Sequence, residues 1–214
     1  MYMKNNKNAF HFRNTLFRRF VVGVLRILMR LFVDIEVIHA ERIPMDGAVM
    51  FAANHVTALD AVLMQLAIPR PLCFMSKAEL FRNPIMAWFF NQIGSFPVKR
   101  GEFDRQSILN AKGVLDDGLA LMMFPEGTRT FGKGMLEARS GTAHMAMRNH
   151  CAVIPAGLSG AEDMFKHGLK RARIQVRIGE KIEPGDQETA GQLTIRIMKG
   201  IAALVPPQLR GFYG

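Results

Sequence analysis

The sequence predicts an α/β fold: a single domain with a largely parallel, mixed sheet flanked by helices, entered through a basic amphipathic helix at the N-terminus. Three observations carry this. Continuous apolar runs at 48–53, 72–75, 119–124 and 152–158 read as strands covered on both faces. Helical patterns stand between them, an alternation that builds parallel sheets through crossovers. The 214 residues contain no Pro/Gly/Ser-rich linker and no internal repeat, so an arm over 1–33 leads into one domain over 34–214.

The arm comes first. The net charge is +10, yet residues 1–32 hold Lys4, Lys7, Arg13, Arg18, Arg19, Arg26 and Arg30 with no acidic residue. A basic arm suits an anionic partner. From Thr15 to Val33 the remaining positions are mostly Leu, Val, Ile, Phe and Met, and a helix places Arg19, Gly23, Arg26 and Arg30 on one stripe. Such a helix lies in a membrane interface, apolar side in lipid and arginines at anionic headgroups. The alternative is an amphipathic helix packed on its own domain. Four arginines interrupt the segment, which argues against a spanning helix, and it lacks the clean apolar centre and cleavage site of a signal peptide. Nucleic acid is not an expected partner, because apolar rather than base-reading side chains separate the charges.

Asp34 to His39 alternates as a half-buried strand, and Pro44-Met45-Asp46-Gly47 is a turn. The strand 48–53 runs into Asn54-His55-Val56-Thr57-Ala58-Leu59-Asp60, and a helical pattern follows to Ile68. Pro69-Arg70-Pro71 breaks it before the strand 72–75. Ala78 to Asn91, broken at Asn83-Pro84, is dense in apolar side chains and is either core or a lipid-facing surface. Gly94 to Val98 is a strand entering Lys99-Arg100-Gly101, and Asp104 to Asp117 is an amphipathic helix. The run 119–124 ends in Pro125-Glu126-Gly127-Thr128-Arg129. A helix from Gly141 to Asn149, the strand 152–158, a more exposed strand through Ile174, Val176 and Ile178, and a helix from Glu188 to Leu204 complete the chain.

Ligands of open α/β sheets bind beyond the carboxyl ends of the strands. Three polar motifs occupy such ends: Asn54-His55, Lys99-Arg100 and Glu126 to Arg129. Thr57-Ala58-Leu59-Asp60 fits a capping box with Thr57 as N-cap. Asp60 equally fits a carboxylate that holds one imidazole nitrogen of His55 while the other removes a proton from a hydroxyl. The spacing alone fits both. Lys99, Arg100 and Arg129 suit a phosphate. Gly127 to Gly134 nearly matches a phosphate-binding loop, but Gly134 stands where the Ser/Thr is needed. Cys73 and Cys151 lie inside apolar runs and read as buried hydrophobes. No cysteine or histidine spacing implies a metal, and none is expected.

These residues carry a resemblance. Asn54-His55 with Asp60 five residues after the histidine resembles the His-x4-Asp hallmark of the glycerolipid acyltransferase family, best known for its 1-acylglycerol-3-phosphate (lysophosphatidic acid) acyltransferases. Phe96-Pro97-Val98-Lys99-Arg100-Gly101, Phe124-Pro125-Glu126-Gly127-Thr128-Arg129 and Val153-Ile154-Pro155-Ala156-Gly157 resemble its later blocks, in order, and Arg177-Ile178-Gly179-Glu180 a common following segment. Val56-Thr57 stands where the family often has Gln-Ser, and Lys99-Arg100 where it often has Asp-Arg. The resemblance implies an acyltransferase of phospholipid biosynthesis that acts on the sn-2 hydroxyl of 1-acyl-glycerol-3-phosphate and yields phosphatidic acid. Another lysophospholipid or a lyso-aminolipid is the alternative acceptor; a non-catalytic peripheral membrane protein is the alternative of another class. It also implies His55 as base, Asp60 as its orienter, and Lys99, Arg100, Glu126, Gly127, Thr128 and Arg129 at the acceptor. No bound cofactor is expected; acyl-CoA or acyl carrier protein is a co-substrate. The expected place is the cytoplasmic face of the cell membrane, peripheral or monotopic, on an anionic membrane surface.

Overall fold

The computed structural model describes residues 10, 12, 14–99, 104–164 and 171–214. In chain order these form α1 (Leu16–Met29), β1 (Val33–Ile38), β2 (Val49–Ala53), α2 (Asp60–Ala67), β3 (Leu72–Lys77), α3 (Pro84–Gln92), β4 (Ser95–Val98), α4 (Arg105–Asp116), β5 (Ala120–Met123), α5 (Gly141–Arg148), β6 (Val153–Ser159), β7 (Ala172–Ile178) and α6 (Ala190–Leu204). Most helices start on a polar side chain that accepts otherwise unpaired backbone N–H groups. Thr15 caps α1, Asn83 followed by Pro84 starts α3, Asp104 caps α4, and Thr189 with Gln192 forms a capping box on α6.

The strands form one seven-stranded sheet in the order β1-β7-β6-β2-β5-β3-β4. β6, β2, β5, β3 and β4 run parallel to one another; β7 pairs antiparallel with β6, and β1 parallel with β7. The two-residue repeat of strands divides the apolar side chains between two cores. Val49, Phe51 and Ala53 of β2 face one, with Leu63 and Met64 of α2 and parts of α1 and α3. Met50 and Ala52 face the other, with Val114 of α4, Ala143 of α5 and Ile197 of α6. Helices thus cover both faces, and β2 and β6 are buried along their whole length, as their unbroken apolar runs require.

β7 alternates as expected: Ile174, Val176 and Ile178 are buried while Arg173 and Arg177 are exposed, so it is more exposed than β2 and β6. One expectation is revised. Thr57 is not the N-cap of α2: the helix begins at Asp60, with Leu59 at the cap position and no side-chain cap bond. The arginine stripe of α1 lies apart from its apolar face, as the amphipathic pattern has it: Arg19, Gly23 and Arg26 line a crevice against the α2–β3 loop, and Arg26 donates to the Leu66 carbonyl at 3.4 Å. Beside the stripe, Arg18 is buried. The outer face is apolar: Leu16, Phe20 and Ile27 of α1, with Leu31 just after it, are each more than 60% exposed. So α1 packs on the domain and keeps an unpartnered apolar side. α3 divides the same way, Phe89 and Phe90 packing inward while Ile85 and Trp88 stay exposed. The two helices meet where the Phe17 and Trp88 rings lie 5.6 Å apart. No helix among the described residues is long and apolar enough to cross a membrane.

Candidate active site

The site grows from the turn between β2 and α2. Asn54 closes it from below: its side-chain amide donates to the Leu158 carbonyl and its carbonyl accepts the Leu158 N–H, both at 2.8 Å. This pair ties the end of β2 to the end of β6. His55 follows, nearly buried, its ring stacked on Phe124 with centroids 4.1 Å apart and planes 17° apart.

The fully buried Asp60 is the hub of the turn. Its Oδ2 lies 2.8 Å from His55 Nδ1 and accepts the backbone N–H groups of Val56 at 2.6 Å and Thr57 at 2.8 Å. Its Oδ1 accepts the Thr57 hydroxyl at 2.7 Å. A carboxylate only accepts, so Nδ1 donates to it, and in the neutral imidazole that leaves the lone pair on Nε2. The same oxygen thus holds the imidazole and accepts the Thr57 N–H, although Thr57 does not cap the helix.

The loop after β5 holds the turn from the other side. Glu126 Oε1 accepts the His55 N–H and Oε2 accepts the Leu136 N–H, both at 2.8 Å. Burial pushes the Glu126 carboxyl above its ordinary range, and the two N–H donors pull against that shift. The N–H groups of Thr130 and Phe131 donate to the carbonyls of His55 and Val56. Phe131 takes a left-handed φ of 54° to do so, rare for a bulky residue.

The turn and loop enclose a cleft of about 230 Å³ at the carboxyl ends of β2, β5 and β3. His55, Phe124 and Arg129 form one part of its lining; Ser76, Lys77 and Leu80 form another. Among the described residues of its lining, Lys77 and Arg129 carry charge and none is a carboxylate. The Arg129 guanidinium sits 5.3 Å from the centre of the Phe131 ring.

The other expected site residues fall as follows. Gly127 turns the chain at φ 68°, its N–H donating to the Phe124 carbonyl; a Cβ there would meet only Arg139 at 3.6 Å, so conformation rather than crowding calls for glycine. Thr128 is exposed. Glu126 is committed to backbone amides and lies beneath the cleft. Lys99 stands at the end of β4, at the sheet edge, its N–H donating to Asp104 at 2.8 Å; Arg100 lies outside the described residues. Gly127 to Gly134 is loop, and the next helix starts only at Gly141. Sequence reasoning missed Phe124 as the stacking partner of His55, and Lys77. Ending β3 at Met75 hid Lys77; carried two residues further, the strand-end rule finds it. Cys73 and Cys151 are buried, and burial pushes their thiols up to about 12 and about 11. Neither lines the cleft. Among the described residues no group of acidic, histidine and cysteine side chains is arranged to hold a metal.

The acyltransferase family model matches residues 34–159. The chain is 28% identical over 172 residues to the 1-acyl-sn-glycerol-3-phosphate acyltransferase of Bacillus subtilis, covering 78% of this chain and 83% of that one. It is 28% identical over 189 residues to a Chlamydomonas reinhardtii protein of the same name, covering 84% of this chain but only 55% of the algal one. It is 33% identical over 115 residues to the lyso-ornithine lipid O-acyltransferase of Pseudomonas aeruginosa, covering 53% of this chain and 44% of that one. The fold matches the crystal structure of the 1-acyl-sn-glycerophosphate acyltransferase PlsC from Thermotoga maritima with a TM-score of 0.71 at 22% identity, over 86% of this chain and 78% of that one.

Proposed function

Because the chain belongs to the acyltransferase family, we propose that it moves a fatty acyl group from a thioester to the free sn-2 hydroxyl of 1-acyl-glycerol-3-phosphate, giving phosphatidic acid. The observation that carries this is the His55–Asp60 pair at 2.8 Å on the wall of a cleft whose other charges are cationic. His55 Nε2 takes the hydroxyl proton as the oxygen attacks the thioester carbonyl. The imidazolium formed is held by Asp60 and lies against the face of Phe124. The thiolate leaves with the proton returned from His55. The attack is direct: both cysteines are buried away from the cleft with thiols that stay protonated at neutral pH, so neither supplies an acyl-enzyme.

Arg129 and Lys77 receive the acceptor phosphate, Lys99 extends the cationic rim at the sheet edge, and Arg100 joins them by the family resemblance alone. Gly127 and Thr128 shape the loop that presents Arg129. Glu126 positions His55 through its backbone. The donor is acyl-CoA or acyl carrier protein, and no bound cofactor takes part. The apolar outer faces of α1 and α3 rest on an anionic membrane at the cytoplasmic face, which brings a lipid acceptor to the rim. The apolar Leu80 lines the cleft just ahead of α3, consistent with a path from that surface.

A lyso-aminolipid acceptor is the second reading, favoured by the 33% identity to the Pseudomonas enzyme. A panel decides it: 1-acyl-glycerol-3-phosphate, lysophosphatidylcholine and lyso-ornithine lipid, each offered with CoA and carrier-protein thioesters. The expected result is the highest kcat/KM for the phosphate monoester, because the cleft offers cations and no carboxylate to an ammonium. A higher value for the ornithine lipid overturns the acceptor assignment.

A further inference from the structure

A second cationic crevice, of about 270 Å³, lies at the opposite end of the sheet from His55, between α1 and the loop that leads into β3. Arg18, Arg19, Arg26 and Arg70 line it, and among the described residues no carboxylate does. Arg19 and Arg26 are exposed, but Arg18 and Arg70 are 4% and 6% exposed. The partners of these two are neutral. Arg18 donates to Gln65 at 3.0 Å and to Asn14 at 3.5 Å and lies 4.3 Å from the centre of the Phe12 ring; Arg70 donates to four backbone carbonyls. The Nε of each is buried without a hydrogen-bond partner. Desolvation lowers both guanidinium pKa values, and at Arg70 the nearby Asp46 carboxylate pulls the other way without forming an ion pair. Buried charge is ordinarily matched by an opposite charge. Among the described residues none makes an ion pair with these four arginines.

The mouth of the crevice adds a second constraint. Gly23 lines it, and a Cβ at that position meets nothing within 4 Å. The neighbouring Phe20, Val24 and Ile27 belong to the exposed apolar face of α1. An anionic headgroup in the crevice therefore has an apolar surface alongside it for its acyl chains.

We propose that this crevice is a second anion site, separate from the acceptor cleft, that takes the phosphate of an anionic phospholipid and fixes how the domain sits on the bilayer. A soluble phosphate shares the headgroup chemistry. The lipid occupant rests on the membrane reading given above; the anion site itself does not.

The test uses the full chain, with phosphatidylcholine vesicles that contain or lack phosphatidylglycerol, and with inorganic phosphate in solution. Wild type is expected to favour the anionic vesicles. Gly23→Leu fills the crevice without changing charge; it keeps binding to phosphatidylcholine and loses most of the anionic preference, about fivefold or more, the effect of one arginine at a membrane surface. Gly23→Ala, too small to fill it, keeps the preference, and Arg19→Gln/Arg26→Gln loses it. If diffuse charge alone were responsible, the arginine pair would lose the preference while Gly23→Leu kept it, and that result overturns the crevice. A wild type that ignores both kinds of vesicle refutes the membrane reading and the lipid occupant together. Thermal protection by inorganic phosphate, present in wild type and absent in Gly23→Leu, then identifies a soluble anion; no protection overturns the site.

Discussion

At the scale of single residues, the site depends on groups that do two jobs. Asp60 Oδ2 accepts from the His55 ring and from two backbone amides at once, so the carboxylate that orients the imidazole also shapes the turn that carries it. Phe131 is the less expected case. Its left-handed backbone costs about 1–3 kcal/mol, and its ring is 68% exposed, so burial does not repay the strain. What it provides is a platform for Arg129. Phe131→Gly should leave stability unchanged or raise it by about 1 kcal/mol. It should also raise the acceptor KM several-fold with little change in kcat, because ground-state and transition-state binding of the phosphate weaken together. Steady-state kinetics beside a melting curve check both halves; an unchanged KM removes Phe131 from the acceptor site.

At the scale of elements, Arg70 shows what periodicity leaves unread. The Pro69-Arg70-Pro71 break was legible as the end of a helix, but nothing local marks Arg70 as a tie between loops. Its guanidinium donates to the carbonyls of Pro44, Asp46, Gly47 and Gly118, which belong to the loops entering β2 and β5. Those partners are 23 to 48 residues away in sequence, and no pattern within one element encodes them. Arg70→Leu leaves four carbonyls without their donor and should cost about 3–5 kcal/mol, read as a lower midpoint in urea. A loss below about 1 kcal/mol would place the strength of these entry loops elsewhere. The strands, by contrast, could be read almost to the residue. Their unbroken apolar runs follow from burial on both faces, and polar motifs at their ends follow from where such sheets leave room for ligands. The pairing of His55 with Asp60 needed coordinates, because a capping box and a catalytic pair share the same spacing.

At the scale of the whole molecule, the apolar faces of α1 and α3 and the cationic cleft belong to one arrangement in the proposed account. The structure bears out the packed alternative for the N-terminal helix on its inner side, and the interfacial alternative is the proposal made for its outer side. Its inner side is part of the fold through Arg18, Leu25 and Met29, and its outer side is apolar and uncovered. Deleting the arm would therefore damage the core as well as the outer surface. Replacing only outward residues separates the two: Phe20→Ser/Ile27→Ser should melt within a few degrees of wild type, yet release the protein from anionic vesicles in a flotation assay. Vesicle binding at the wild-type level would move the membrane contact away from α1.

The most direct test of the account is the single-turnover rate of acyl transfer from a thioester to 1-acyl-glycerol-3-phosphate, compared between wild type and His55→Ala at equal folded fraction. If His55 Nε2 is the base that deprotonates the acceptor, the variant loses about 10²–10⁴-fold in rate and forms phosphatidic acid only at a residual level. Transfer at the wild-type rate by His55→Ala would contradict the central claim.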